Sequence, residues 1–188
     1  MYSTSSLSLR AASAADADLI ASIHAASWQA SHRGLVPEAF LDSEVVRERA
    51  TYWHARIAAP GAERRLMLIA ERRAQPIAFA CVERQPGSTW GALLDNLHAL
   101  PAHQRTGAGS LLMHAVEDWA REHGETQLCL YVLEGNAAAI RFYERRGWRL
   151  SGAEPDRVGG ADITMLRYLY RLGDLPQSRA IDSPALRF

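Results

Sequence analysis

A surplus of charge of either sign is what this chain most plainly lacks. Lys plus Arg number 21 and Asp plus Glu number 21, so no net basic field exists to hold nucleic acid or an anionic membrane. Cysteine is nearly absent as well. Cys81 and Cys129 sit in apolar, strand-like runs and cannot by themselves make a disulfide framework or a zinc site, so reduced, buried thiols in a cytoplasmic protein are expected. No run approaches the ~20 apolar residues of a membrane span. The Ala/Ser-rich start is broken by Arg10, Asp16 and Asp18, unlike the apolar stretch of a signal peptide. Internal repeats are missing, and His24, His54, His103, His114 and His123 show no metal-ligand spacing. What is present is 188 residues, 48% hydrophobic, enough for a single domain with a real core. That domain is expected over residues 1–172, with an extended arm or disordered tail over 173–188.

Hydrophobic periodicity divides the chain into alternating elements. A short strand over 7–10 precedes a helix opened by Ser13 and Asp16, a variant capping box, and ending near Trp28. A second helix, capped by Ser43, carries Val46, Ala50, Trp53 and Ile57 at helical spacing. Strands over 66–71 and 77–83 follow, around a turn at 74–76. A long fourth strand runs over 90–100. The helix over 107–123 has an apolar stripe of Leu111, Leu112, Ala115, Val116 and Trp119 and stops at Gly124. After a strand over 127–132 comes a helix capped by Asn136, then strands over 148–152 and 163–169.

The most specific stretch is Gln104-Arg105-Thr106-Gly107-Ala108-Gly109, between the fourth strand and the helix that begins Ser110-Leu111-Leu112. Unpaired backbone N–H groups of a first helical turn, together with the positive end of the helix dipole, make such a loop an anion site. Its expected guest carries phosphates. A Walker loop would need Lys and then Ser or Thr after the last glycine, where Ser110 and Leu111 stand; a dinucleotide fingerprint would need a third glycine at Leu112.

A second motif lies downstream. Asn136 is followed seven residues on by Tyr143, and then by Gly147-Trp148 just past the helix end. In this order, with a helix and a strand between them, Gln-x-x-Gly-x-Gly and Asn…Tyr…Gly-aromatic resemble the GNAT superfamily of acetyl-CoA-dependent N-acetyltransferases. The resemblance covers roughly residues 66–166. It implies an α/β fold in which a mixed, mostly antiparallel sheet is flanked by helices, with acetyl-CoA as cosubstrate and no metal. The pyrophosphate of coenzyme A would sit on the amides of Arg105, Thr106, Gly107, Ala108, Gly109 and Ser110, within reach of Gln104. The backbone of Leu97, His98 and Ala99 would pair with the pantetheine arm like an added strand.

Acetyl transfer to an amine needs a proton acceptor for the amine and a proton donor for the departing thiolate. Tyr143, a phenol protonated at neutral pH, is the candidate acid; Asn136 is both an N-cap and a candidate cofactor contact. His98 and Asp95 are the candidate bases. Strand alternation places them on opposite faces, and a His base predicts a rate limb near pH ~6.5. Trp28 and His32 are expected to wall the acceptor pocket. In ribosomal-protein alanine acetyltransferases, which share the Asn-Ala-Ala-Ala-Ile helix start, a Glu stands at the place of Tyr131; its loss counts against a ribosomal substrate. The acceptor is expected to be a small-molecule or peptide amine, with no nucleic-acid or membrane partner, and a homodimer is left open. A non-catalytic acyl-CoA-binding domain of the same fold is the alternative.

Overall fold

The computed structural model describes residues 7–173; the tail expected beyond Gly173 lies outside the described residues. Seven strands, β1 (Leu7–Ala11), β2 (Arg65–Arg72), β3 (Gln75–Glu83), β4 (Ala92–Ala99), β5 (Gln127–Leu133), β6 (Arg149–Val158) and β7 (Ala161–Arg171), form one sheet in the order β1-β2-β3-β4-β5-β7-β6. Every neighbouring pair is antiparallel except β4 and β5. This is the mixed, mostly antiparallel sheet expected from the sequence.

Helices cover both faces. Helices α1 (Ala17–Ser31) and α2 (Val45–Ala58) bury Ile20, Ile23 and Trp53 against Ile69, Phe79 and Cys81. On the other face, α3 (Ala108–Glu122) buries Leu112, Met113, Val116 and Ala120, and α4 (Ala137–Glu144) buries Tyr143, against Ala78, Ala80, Val82 and Leu130. At about 25 cal/mol per Å² of apolar surface, these two packed faces are the main stabilising term.

Local chemistry explains the starts and stops. The Ser13 amide donates to Asp16 at 2.8 Å, and Arg10 grips the same carboxylate, which holds the Asp16 pKa down to about 2. The second helix departs from expectation. It begins with a wide π-turn over Phe40–Glu44, in which the Ser43 hydroxyl donates back to the Ala39 carbonyl rather than capping. Val45 is fully buried and Val46 is 59% exposed, so the expected stripe fails at its first residue, while Trp53 is buried and Ala50 and Ile57 pack beside it as expected. The β2–β3 turn is tighter than expected as well: Arg73 and Ala74 both take positive φ, and Gln75 already pairs with Arg72.

The geometry that makes the site lies between β4 and β5. They pair only through Ala92 with Leu128 and Leu93 with Cys129, then diverge. Gly91 permits the pinch, since a Cβ there would lie 2.0 Å from the Gln127 carbonyl oxygen. Beyond Leu93, the β4 edge that faces β5 has no strand partner. A β-bulge adds a second consequence. Leu94 pairs with Val82 and Asn96 with Cys81, which leaves Asp95 as the extra residue. The side-chain alternation slips by one there, so Asp95 and His98 both turn toward α1 and α2. The expectation that they point to opposite faces is therefore corrected.

Candidate active site

The divergence of β4 from β5 opens a cleft of about 1250 Å³ that runs across the end of the sheet from α3 and α4 to α1 and α2. Leu97, His98, Ala99, Gln104, Arg105, Gly107, Gly109, Ser110, Asn136 and Tyr143 line it, together with Asp95, Trp28 and His32. Thr106 and Ala108 contribute no side chain. The Thr106 hydroxyl turns away to the His103 carbonyl at 2.7 Å, and Ala108 is buried beneath the loop.

At the α3 end the site is made of backbone. Arg105 at φ 62° and Gly107 at φ 93° curl the chain so that successive amides turn outward, and none of the amides of residues 105–110 finds a backbone acceptor among the described residues. The first helical bond that closes this region runs from the Leu111 amide to the Gly107 carbonyl, 3.0 Å. Sequence reasoning passed over the side chains that accompany these amides. Arg141, Arg145 and Arg146 of the α4 segment line the cleft beside Arg105. Arg146 donates to the Ser110 hydroxyl and stacks 3.6 Å from the Phe142 ring centroid. Burial, and then the neighbouring Arg145, push the Arg146 pKa down, a penalty that a bound anion would relieve. The doubled Arg145-Arg146 was the signal in the sequence.

At the middle of the cleft stands Tyr143. Only 9% of it is exposed, and burial raises the pKa of its phenol, so the hydroxyl keeps its proton. No protein group among the described residues pairs with that hydroxyl, which faces the cleft. Asn136, seven residues earlier, accepts from the Ala139 amide at 3.2 Å and so acts as the N-cap of α4 while lining the cleft.

The other end is an aromatic and imidazole chamber. The His98 ring stacks on His24 at 4.1 Å, and its Nδ1 lies 3.1 Å from the Ser27 hydroxyl. The Trp53 indole donates to His24 Nδ1 at 3.0 Å, which puts the His24 proton on Nε2, a buried atom with no partner. Trp28 stacks on His32 at 4.7 Å. Burial drives all three imidazoles toward the neutral form: His98 to about 3, His32 to about 4, and His24 well below its usual range. This environment favours a neutral His98 ring at physiological pH, which argues against the rate limb near pH 6.5 expected of a His98 base. Asp95 is engaged through one carboxylate oxygen, Oδ2. It accepts from the Tyr52 hydroxyl at 3.0 Å and the Asn96 amide at 2.8 Å, with Arg56 at 3.6 Å, and burial followed by Asp95 pushes Tyr52 up to about 12. Tyr131 lines the cleft from β5 and reaches Glu154 at 3.3 Å.

Residues 23–148 match the acetyltransferase (GNAT) family, and the chain belongs to it. An uncharacterized N-acetyltransferase of Mycobacterium bovis is 32% identical over 109 residues, which cover 56% of this chain and 69% of the relative. Among solved structures, the PaiA N-acetyltransferase of Thermoplasma acidophilum in complex with coenzyme A is similar in fold, with a TM-score of 0.70 at 21% identity over 88% of this chain and 99% of that one. So is YncA, a putative acetyltransferase of Salmonella typhimurium with its cofactor acetyl-CoA, with a TM-score of 0.64 at 19% identity over 94% and 100%.

Proposed function

We propose that this chain is an N-acetyltransferase that moves an acetyl group from acetyl-CoA to a primary amine by direct attack. The observation that carries the reading is the alignment, along one cleft, of three unsatisfied features: the free amides of residues 105–110, the unpaired β4 edge, and the Tyr143 hydroxyl. Pyrophosphate fits the first and an amide-bearing pantetheine arm the second, while the third meets the thioester sulfur. The structures bound to coenzyme A and acetyl-CoA share the fold and support this choice of cosubstrate.

In the reaction the neutral amine's lone pair forms the new C–N bond, and the C–S bond breaks. Tyr143 gives its proton to the leaving sulfur. The nitrogen proton passes toward His98 Nε2, the ring atom left open to the cleft once Nδ1 is held by Ser27. With a pKa of about 3 the ring relays that proton to solvent rather than holding it, and the loss becomes favourable as the nitrogen becomes part of the amide. Asp95, tied to Tyr52, Asn96 and Arg56, shapes the chamber wall. Trp28 and His32 wall the acceptor.

The test is an acceptor screen with thiol detection. Coenzyme A released above the hydrolytic background, stoichiometric with an acetamide, is the expected result. Tight acetyl-CoA binding with no release from any amine would instead make the chain an acyl-CoA-binding domain.

A further inference from the structure

Arg49 of α2 projects into the acceptor chamber, and neither the fold nor the acetyl-transfer chemistry uses it. Its side chain is only 13% exposed. The guanidinium carbon lies 4.8 Å from the Trp28 ring centroid and 4.9 Å from that of Tyr52, so two aromatic rings fix its position. A guanidinium presents two forks. The lateral one, Nε with one Nη2 hydrogen, is taken by the two carboxylate oxygens of Glu48. The terminal fork, Nη1 with the second Nη2 hydrogen, has no partner among the described residues. Such a fork matches a planar carboxylate through two parallel hydrogen bonds.

The charges around it favour an anion. The Glu48 side chain is 42% exposed, so its charge sits at the rim in water while that of Arg49 lies deeper. Asp95, the other inner carboxylate, is held through Oδ2 by Tyr52 and Asn96, with the Arg56 guanidinium 3.6 Å away to offset its charge. Asp156 and Arg157, on the far wall, are exposed and of opposite sign. His24, His32 and His98 are neutral, and the positive charge of Arg49 is among the causes that depress His24 and His98. Arg49 is thus an inner cation of the chamber with hydrogen-bonding capacity left for an acceptor.

Resting on the acetyl-transfer reading, we infer that the acceptor is a free amino acid, an amine with a carboxylate beside it, and that Arg49 is the residue that anchors that carboxylate. A peptide N-terminus lacks the nearby anion and is disfavoured. The anchor also orients the amine, since a bidentate contact one or two bonds from the nucleophile leaves it little rotational freedom.

The experiment measures kcat/KM by thiol release for the free amino acids, and for the best of them its C-terminal amide and its decarboxylated amine. The acid should exceed both by more than about tenfold, the scale of a charge-assisted bidentate pair. Arg49→Gln should collapse that ratio through the KM of the acid, with the KM of the amide unmoved; a purely structural Arg49 would change all three acceptors alike. If Arg49→Gln melts early, Arg49→Lys, which keeps the charge and loses the fork, should retain only part of the preference. An acid-to-amide ratio unchanged in the variants, or a wild-type enzyme that prefers the amide or the decarboxylated amine, overturns the inference and leaves acetyl transfer standing. Failure of every amine to release thiol overturns acetyl transfer itself, and the inference with it.

Discussion

Tyr143 is held where an acid is useful and a base is not. Its burial disfavours phenolate, so the proton stays on oxygen, as the proposed donation to a leaving thiolate requires. Replacing Tyr143 with Phe keeps the ring packed against Phe142 and Trp148 but removes the donor. We expect kcat to fall by ~10² or more with acetyl-CoA affinity unchanged in calorimetry; a kcat within about threefold of wild type would reduce Tyr143 to a packing role. His98 yields a second expectation at this scale. With its pKa pushed down to about 3 by burial, and by His32 and Arg49, the ring does not titrate between pH 5 and 8. The rising limb of the rate should therefore track the acceptor's own amine, moving when acceptors of different pKa are compared. A limb fixed near pH 6.5 for every acceptor would show a titrating enzyme base after all. His98→Ala should lower kcat without moving the limb.

At the scale of elements, the loop before α3 works through backbone direction. Gly107 lies at φ 93°, and a Cβ there would meet only Leu7 at 3.6 Å, so strain rather than crowding is what an alanine would bring. Gly109 has ordinary φ, but its Cβ would come within 3.3 Å of the Phe142 ring. Gly107→Ala and Gly109→Val should each weaken acetyl-CoA binding by about tenfold or more, by turning amides away from phosphate in one and displacing α4 in the other. Wild-type affinity in both would remove the loop from the cofactor site. This loop and the Asn136 helix were legible in the sequence because glycine spacing and caps are local. The bulge at Asp95 was not, since it exists only as a mismatch of register between β3 and β4. The π-turn before α2, and the burial of Val45 in place of Val46, likewise left no pattern in periodicity. Ser27, Arg49 and Tyr52 were missed for a related reason. Each looks like an ordinary helical residue until α1 and α2 are packed over β4.

For the whole molecule, the chamber carries a cost that appears at mildly acid pH. His24, His32 and His98 are all depressed by burial, so the unfolded chain binds protons near pH 6.5 that the folded chain refuses until about pH 4 or below. The sign follows. The stability associated with these rings is fully present above pH 6.5 and is lost as pH falls below it, at up to about 1.4 kcal/mol per pH unit for each ring. The Arg10–Asp16 pair acts lower down, because a carboxyl depressed to about 2 contributes above its unfolded pKa of 3.8 and fails only beneath it. Acid denaturation should thus begin in the active-site chamber, well before the surface ion pairs are titrated. At pH 5, thermal unfolding followed in buffers of different ionisation enthalpy should show uptake of about three protons from these rings, against almost none at pH 8. His32→Asn should remove one of the three, because the substitution deletes the titrating group from both states. An uptake at pH 5 that is unchanged by His32→Asn would mean that His32 titrates freely in the folded protein, and that the ring stacked on Trp28 is open to water rather than part of a dry acceptor wall.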